Sequence, residues 1–414
     1  MRTFERTHPR ISYRIDLRKA APTLWLLLGE AASKCEHIAG VPLRPSVAQS
    51  LHQLYLAKGA LATTAIEGNT LTEKEVLARL QGKLKLPPSK EYLGQEVDNI
   101  AAACQRIGER LRQGDTDLTA ERVCDFDRQV LEKLTLDEGV VPGQVRTHSV
   151  VVGKAYRGAP PEDCQFLLER LCEWLASGDF AAPEGREMVY AILRAVVAHL
   201  YLAWIHPFGD GNGRTARLVE LQILLSAGVP TPAAHLLSNH YNQTRAEYYR
   251  QLDRASKSGG ELAPFLEYAA RGFVDGLREQ LRVIREQQWD VAWRSYVHEK
   301  FRDHPGTNAK RQRDLVLDLS TAREPVAVGK ITELTPRLAK TYAGISAKTL
   351  QRDLAAVEEM ELVERKPEGV RARRELILAF LPWRRTTTQP KAGAGAKSGQ
   401  NPATSPSAPS ASSA

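Results

Sequence analysis

The stretch IHPFGDGNGRTAR, residues 205–217, joins two apolar segments and concentrates one histidine, one aspartate, three glycines, one asparagine and two arginines. The apolar run before it, residues 184–206, is predicted to be a helix that ends before Pro207, because proline excludes the helical conformation from the preceding residue. A second helix is predicted to open near Arg214 and to end at Gly228. The sequence therefore predicts a glycine-rich turn between two helices.

The side chains of this turn have the chemistry of a phosphate-binding site. Glycines let backbone N–H groups approach an anion, and the following helix N-terminus adds positive potential. Asp210 is a hard oxygen ligand suited to Mg²⁺ beside phosphates. Arg214 and Arg217 share one helix face and can both contact phosphate oxygens. His206 is the residue type best suited to accept a proton near neutral pH. These parts favour transfer from a nucleoside triphosphate to a hydroxyl group.

Apolar spacing predicts a mainly α fold with one β-hairpin over residues 141–161. Three helices and two short strands follow, an order typical of a winged helix-turn-helix domain. The predicted organisation comprises an N-terminal helical region (1–110), a catalytic core (111–285), a helical linker (286–306), the winged helix-turn-helix domain (307–383) and a disordered tail (384–414), which is rich in Ala, Gly, Pro and Ser.

Composition excludes several classes of protein. The five cysteines are scattered without a CxxC pair, which favours reduced thiols over a disulfide framework or a zinc site. Charged residues interrupt every long apolar run, so neither a signal peptide nor a spanning helix of about 18 residues is expected. A cytoplasmic protein without a membrane partner is predicted.

Residues 206–217, HPFGDGNGRTAR, match the complete HPFx(D/E)GNGRxxR signature and resemble Fic-domain proteins. The resemblance extends over about residues 50–280 and includes the hairpin. It implies a protein adenylyltransferase (AMPylator) that transfers AMP from ATP to a Tyr, Thr or Ser hydroxyl of a target protein, itself included, and releases pyrophosphate. It also implies a Fic-type helical core.

The resemblance assigns roles within the loop. His206 would deprotonate the attacking hydroxyl, Asp210 would hold Mg²⁺ against the α- and β-phosphates, and Phe208 would plug into the core. The remaining loop residues would contact ATP. Gly211, Asn212 and Gly213 would form the anion hole, Arg214 would contact the phosphates, and Arg217 would hold the γ-phosphate.

The hairpin resembles the flap with which the family aligns its target by strand addition. Its turn would bring Val152, Gly153 and Lys154 next to ATP. Tyr248 and Tyr249 fall where family members line the base pocket, although tyrosine pairs on helices are usually packing residues.

A second motif lies upstream, in TTAIEGN, residues 63–69. Thr63, Glu67 and Gly68 resemble the (S/T)xxxE(G/N) inhibitory motif of Fic proteins that carry an N-terminal inhibitory helix. The resemblance implies that Glu67 forms a bidentate pair with Arg217 and keeps ATP from its productive pose. Without the downstream signature, the preferred interpretation of Glu67 is a solvated residue at the end of a helix. In some family members the same glutamate supports removal of AMP, and the sequence leaves that alternative open.

The C-terminal module is basic. Residues 300–385 contain 18 Lys and Arg against 12 Asp and Glu, which accounts for six of the eight net positive charges. Ser346 is predicted to cap a recognition helix whose buried stripe is Leu350, Leu354 and Val357. The residues predicted to face duplex DNA are Lys348, Gln351, Arg352, Arg371, Arg373 and Arg374.

Several alternatives remain open at this stage. The module is equally consistent with a protein-interaction or dimerisation role, which includes a homodimer of this chain. The whole chain is also consistent with a DNA-binding regulator whose nucleotide site acts as a sensor. A relative that transfers phosphate or another nucleotidyl group is a further alternative. The intact His206 and Asp210 favour an enzyme over a sensor, because a sensor needs neither a base nor a metal ligand.

Overall fold

The computed structural model describes residues 2–152 and 156–378, apart from the side chains of Lys19 and Val152. Gly153, Lys154 and the tail predicted for 384–414 lie outside the described residues, and so does the side chain of Val152.

The described chain is mainly helical, with two small antiparallel hairpins. The helices are α1 (Thr3–Thr7), α2 (Pro22–Ala39), α3 (Pro45–Ala65), α4 (Glu73–Leu80), α5 (Glu91–Arg112), α6 (Ala120–Val130), α7 (Pro161–Leu175), α8 (Glu187–Ile205), α9 (Asn212–Ser226), α10 (Thr231–Ala234), α11 (Leu236–Gln243), α12 (Arg245–Lys257), α13 (Ala263–Lys300), α14 (Thr307–Leu319), α15 (Pro336–Tyr342) and α16 (Ala347–Glu359). The strands are β1 (Val151–Val152) paired with β2 (Tyr156–Arg157), and β3 (Val363–Lys366) paired with β4 (Gly369–Ala372).

The chain divides into two compact units, Met1–Gln288 and Trp289–Ala414. Helix α8 forms the centre of the first unit and packs against α9, α7 and α2. It is apolar around its whole circumference, which is typical of a core helix. By length and composition α8 could cross a membrane, but 78% of it is buried inside the fold. The apolar sequence is therefore accounted for by the protein core.

The predicted N-terminal region shares one hydrophobic core with the predicted catalytic region. Helix α3 packs against α4, α5 and α11, and α5 packs against α6 and α9. The start of α4 is fixed by a capping box in which Thr72 and Glu75 exchange hydrogen bonds. This packing places the end of α3 beside the start of α9, which positions the candidate site.

The second unit has its own core, and part of the predicted linker belongs to it. Trp293, Val297 and Phe301 pack in this core with residues of α14 and α16. The segment predicted as a linker, 286–306, is helical through Lys300, because α13 continues that far. Val326 forms an isolated bridge with Val370 of β4, and the hairpin of β3 and β4 follows α16.

The first hairpin was predicted too long. Residues 141–150 contain no strand, and this hairpin comprises β1 and β2 of two residues each. The two short strands predicted after the last three helices are present as β3 and β4, and a 3₁₀ turn at Arg374–Ile377 follows them. β-branched composition predicted strands here, but so few paired residues cannot form a sheet on their own.

Candidate active site

The turn at residues 206–211 is set by two residues in the left-handed conformation. Helix α8 ends at Ile205, and His206 follows with φ 51° and ψ 59° while its N–H still donates to Leu202 O at 2.9 Å. A non-glycine residue in this conformation is strained, which is common at functional sites. Gly211, with φ 79°, then precedes α9. The chain thus reverses within six residues and holds His206 at the mouth of the turn.

The side chain of Asn212 closes this turn from inside. Its Oδ1 accepts from Phe208 N and its Nδ2 donates to Phe208 O, both at 2.9 Å. Phe208 is itself buried in the core. The Asn212 side chain therefore fixes the shape of the loop and does not face an anion as expected, because its amide oxygen and nitrogen both bond the backbone of Phe208. Its backbone N–H, at the first position of α9, remains for an anion.

Arg217 and Glu67 meet across 150 positions of sequence. Arg217 Nη2 donates to Glu67 Oε1 at 2.5 Å and to Thr63 O at 2.9 Å. The Arg217 side chain is 1% exposed and that of Glu67 is 35% exposed. The contact is not bidentate as expected, since one nitrogen makes both bonds, and Nε and Nη1 have no hydrogen-bond partner among the described residues. Thr63 acts here through its carbonyl.

Glu67 also covers the first turn of α9. A Cβ placed on Gly213 would overlap Glu67 Oε1. Helix N-termini attract anions through their free N–H groups and dipole. The carboxylate of Glu67 therefore lies at the position where the glycine loop is suited to receive a phosphate.

Arg214 is held by two carboxylates. Nη2 donates to Asp210 Oδ2 and Nη1 donates to Glu96 Oε1, each at 3.0 Å. Asp210 Oδ1 accepts from Gly211 N at 2.6 Å, and the Asp210 side chain is 54% exposed. A single exposed carboxylate beside a phosphate site suits Mg²⁺, which keeps several waters and binds few protein ligands when phosphates supply others. Asp210 therefore fits the predicted metal role.

A cavity of about 570 Å³ opens beside the loop. His206, Asn212, Gly213 and Glu67 line one end of it. The remaining lining is formed largely by apolar and aromatic side chains: Ile66, Tyr156, His199, Ala203, Trp204, Ala216, Arg245, Tyr248, Tyr249, Leu252 and Asp253. A mainly apolar cavity with a few polar groups at one end suits a ligand with a flat ring and an anionic tail.

Both predicted tyrosines line this cavity, in different ways. Tyr248 is buried, stacks on Tyr241 with ring centroids 4.8 Å apart, and hydrogen-bonds His199 Nε2 at 2.8 Å. Tyr249 is exposed, and its hydroxyl donates to Ile66 O at 3.2 Å, next to Glu67. Tyr248 is thus part of the wall, whereas Tyr249 offers an accessible ring.

A family model for Fic/DOC proteins matches residues 117–224, which include the whole loop. Residues 117–224, called the Fic domain below, are therefore similar to the Fic/DOC family. Outside this stretch, α3 and α5 pack against α9, and residues of α12 line the cavity.

Curated relatives connect the Fic domain with protein adenylyltransferases. Protein adenylyltransferase fic-1 of Caenorhabditis briggsae is 33% identical over 230 residues, which is 55% of this chain and 42% of the relative. Protein adenylyltransferase Fic of Nematostella vectensis is 32% identical over 209 residues, which is 50% of this chain and 45% of the relative. The chain thus spans less than half the length of these relatives.

Solved structures agree with the Fic fold. A Fic family protein from Desulfovibrio desulfuricans G20 superposes with a TM-score of 0.51 at 21% identity, covering 85% of this chain and 96% of that one. A fragment of Fic-1 from C. elegans gives 0.50 at 24% identity, covering 64% and 73% respectively. At these identities the likeness concerns the fold alone.

Electrostatics within the Fic domain keep His206 neutral. Burial of the ring and the positive charge of Arg146 lower the pKa of His206 to about 4, against an opposing effect of Glu67. The base form is therefore present throughout the neutral range, although the sequence-based expectation was a group that titrates near pH 7. Burial alone would raise the pKa of Glu67, but Arg217 lowers it below its usual range. Glu67 is accordingly charged when paired.

Arg146 is a residue of the Fic domain that sequence reasoning missed. Its guanidinium is buried and donates to three carbonyls, of His206, His148 and Ala159, while its own N–H donates to Pro207 O. It therefore joins the catalytic turn to both ends of the hairpin segment. Arginine on a surface loop predicts solvent exposure, and nothing in the local pattern indicates burial.

A buried polar group behind the Fic cavity was also missed. His199 Nδ1 lies 3.1 Å from Glu220 Oε2, and Tyr241 donates to Glu220 Oε1 at 2.9 Å. His199 also bonds Tyr248 on the cavity wall, a contact that no local sequence pattern indicates. These residues come from α8, α9, α11 and α12, so their meeting depends on tertiary packing.

The residues predicted to face DNA in the second unit fall into two groups. Lys348, Gln351 and Arg352 are exposed on α16, with Leu350, Leu354 and Val357 buried on its opposite face. Ser346 occupies the N-cap position but its side chain caps no backbone N–H. The other three, Arg371, Arg373 and Arg374, contact groups within the unit. Arg371 pairs with Glu364 and Glu375, Arg373 Nε lies 4.0 Å from Glu375 Oε1, and Arg374 donates to Ser320 O at 3.2 Å.

Proposed function

We propose that this chain is a protein adenylyltransferase that Glu67 holds in an inactive state. The observation that carries the proposal is the contact of Glu67 with the buried Arg217 at a helix N-terminus that otherwise suits phosphate. The cavity beside it has the size and apolar lining for a nucleoside, and His206 lies where the two meet. The relationship to adenylyltransferases selects ATP as donor and AMP as the transferred group.

The proposed reaction is an in-line displacement at the α-phosphorus of ATP. Neutral His206 accepts the proton of a target Tyr, Thr or Ser hydroxyl as its oxygen bonds to the α-phosphorus. The bond from that phosphorus to the bridging oxygen breaks, and pyrophosphate leaves. Backbone N–H groups at the start of α9, with Arg214 and Arg217, stabilise the phosphate charge. Asp210 would hold Mg²⁺, which neutralises phosphate charge when bound.

In the proposed inhibition, Glu67 and the γ-phosphate of ATP compete for the same position beside Gly213 and Arg217. While Glu67 occupies it, an incoming γ-phosphate meets a carboxylate instead of a guanidinium. Release of residues 63–69 from α9 would make both Gly213 and Arg217 accessible to the phosphate. The proposed inhibitory helix is thus the end of α3 with the turn that follows it.

Intact mass spectrometry tests the proposed activity. The wild type and Glu67→Gly are incubated separately with Mg²⁺ and each of ATP, GTP, CTP and UTP. The expected result is a mass gain of one or more AMP groups, with ATP only and mainly in the variant. A gain of phosphate, or of another nucleotide in preference to AMP, would assign the domain to a different transfer reaction. No gain with any nucleotide in folded protein would contradict the proposal for self-modification.

Gly213→Ala provides a test of the phosphate position. The added methyl would enter the space where a phosphate approaches the first turn of α9, and Glu67 already lies there. We expect AMP transfer to fall by roughly 100-fold even with Glu67→Gly in the same chain, since loss of one such anion-binding contact has that order of effect. The matched control is Gly108→Ala on α5, where a Cβ meets no atom within 4 Å. Equal transfer rates in both variants would place the phosphates elsewhere.

For the second unit we propose a winged helix-turn-helix domain that binds duplex DNA through α16. Supporting it are the order of α14, α15, α16 and the terminal hairpin, and the exposed Lys348 and Arg352, which contact no carboxylate among the described residues. Arg311 pairs with Asp353 at 2.6 Å and Arg337 with Asp318 at 2.5 Å, so these two arginines are engaged within the unit, while its excess of positive charge is unaffected by such pairs. A protein partner remains the competing function.

A salt titration of DNA binding separates these functions. Replacing both Lys348 and Arg352 with alanine should weaken binding of the full chain to a random duplex and reduce the slope of log K against log salt by about two. Arg282→Ala, an exposed arginine of the first unit paired with Glu279 and Glu286, serves as the control. Binding that is absent in the wild type would favour a protein partner.

A further inference from the structure

Glu96 of α5 connects the segment that carries Glu67 with the glycine loop. Its Oε1 accepts from Arg214 Nη1 at 3.0 Å, and its Oε2 accepts from Asn69 Nδ2 at 2.8 Å. The two contacts use different oxygens, so the carboxylate serves both partners at once. Asn69 lies two positions after Glu67, within the TTAIEGN stretch.

Asn69 is itself firmly held. It is buried, its Nδ2 also donates to Leu93 O at 2.9 Å, and its Oδ1 accepts from Leu71 N at 3.0 Å. Its position is therefore set by the turn that leads into α4 and by the first part of α5. Any displacement of residues 63–69 that moves Asn69 removes one of the two partners of Glu96.

Arg214 depends on Glu96 for its orientation. The Arg214 side chain is 5% exposed and that of Glu96 is 17% exposed, so solvent does little to satisfy either charge. Its other carboxylate partner is Asp210, which is half exposed and fits Mg²⁺. A carboxylate bound to a cation neutralises a guanidinium less well. Glu96 is then the carboxylate that balances the charge of the buried Arg214 and directs its guanidinium at the phosphate site.

We infer that Glu96 is a positioning residue for Arg214, and that Asn69 makes this positioning depend on the state of the inhibitory segment. The inference rests on the proposed adenylyltransferase function and adds a second connection to it. Glu67 pairs with Arg217 and so withholds it from ATP, whereas Glu96 pairs with Arg214 and orients it toward ATP. Displacement of residues 63–69 therefore reaches both arginines of the loop.

The test compares Glu67→Gly with Glu67→Gly/Glu96→Gln in the full-length chain. The rate of AMP transfer is measured against ATP concentration, and ATP binding is measured separately by calorimetry with EDTA in place of Mg²⁺. The glutamine keeps the size of the side chain but removes the charge that fixes Arg214. We expect KM for ATP and the metal-free Kd to rise by roughly ten-fold, as for loss of one charge-assisted contact, with kcat changed less. Glu96→Asp, which keeps the charge, should recover part of the affinity.

Asp98→Asn supplies the matched control. Asp98 lies on the same helix and pairs with Arg79 at 2.8 Å, away from the loop. Its variant should leave KM and Kd unchanged even if it lowers the melting temperature. If Glu96→Gln does not fold, Asn69→Ala in the Glu67→Gly chain takes its place, with a smaller rise expected in both constants.

The outcomes separate this inference from the function on which it rests. If Glu67→Gly alone transfers no AMP, the proposed function is overturned. The metal-free Kd for ATP would still test whether Glu96 positions Arg214. Transfer by Glu67→Gly with unchanged KM and Kd in the Glu96 variant would overturn the inference and leave the function standing. A fall in kcat at unchanged KM and Kd would also overturn it, because Glu96 would then act on the reaction without affecting the binding of ATP through Arg214.

Discussion

His206→Ala is expected to lower AMP transfer by roughly 10²- to 10⁴-fold, the usual contribution of a positioned general base. The effect should be measured in the Glu67→Gly chain, where transfer is not masked by inhibition. ATP binding should change little, because the proposed phosphate contacts come from the start of α9 and from Arg214 and Arg217. Single-turnover labelling with ATP in excess gives the rate, and calorimetry gives the affinity.

A second variant at position 206 is needed because alanine is strained in the backbone conformation of His206. His206 has φ 51°, a conformation that costs alanine about 1 kcal/mol but that asparagine tolerates better. His206→Asn should therefore retain the turn while removing the base, and should be as inactive as His206→Ala. Transfer at the parent rate in the asparagine variant would assign the proton to another acceptor.

The pH dependence gives an independent check on His206. Its pKa is lowered to about 4, so the base form is present above that value and is lost as the pH falls through it. The acid limb of the pH profile of kcat/KM reports the pKa of the base in the free enzyme. In a chain that retains His206, the midpoint of this limb should lie well below pH 6.5. Since Arg146 contributes to the lowering, Arg146→Lys should preserve the charge and shift this limb little, even if the loss of its carbonyl contacts destabilises the turn.

The parts of the site that the sequence predicted are contiguous in the chain. His206, Asp210, Gly213 and Arg214 lie within nine positions, so their chemistry can be read directly from neighbouring residue types. The Glu67 contact spans 150 positions and was expected only through the resemblance of a short motif. Glu96 and Arg146 carry no local signal, because their roles depend on buried contacts between separate helices and loops.

The same distinction applies to the fold. The long apolar segment that forms α8 was predicted well, since its helical pattern is repeated over several turns. The short hairpin was predicted too long, because the β-branched residues at 141–150 lie in a loop and only Val151 and Val152 pair with β2. Composition could not indicate which arginines of the second unit are engaged, since pairs such as Arg311 with Asp353 form only after α14 and α16 pack together.

Glu67→Gly is expected to raise self-modification by roughly 10- to 100-fold, the range for removal of a charge-assisted contact. Glu67→Gln, which keeps the side chain but removes its charge, should give a smaller rise because the amide still covers Gly213. Glu73→Gln at the exposed start of α4 is the control, and it should leave labelling unchanged. Time courses with labelled ATP and Mg²⁺ compare all three. Equal labelling of the wild type and both Glu67 variants, with folding intact, would exclude Glu67 as the inhibitor.

Loss of Glu67 should also change stability in a way that depends on nucleotide. Arg217 would keep Thr63 O as its hydrogen-bond acceptor and lose its carboxylate, and an uncompensated buried charge is destabilising. The melting temperature of Glu67→Gly should therefore fall without ligand. A γ-phosphate can replace the lost carboxylate, so ATP should raise the melting temperature more in the variant than in the wild type, and ADP should do so less. Equal ATP-dependent shifts in both proteins would mean that Glu67 and the γ-phosphate do not share Arg217, even if the variant were active.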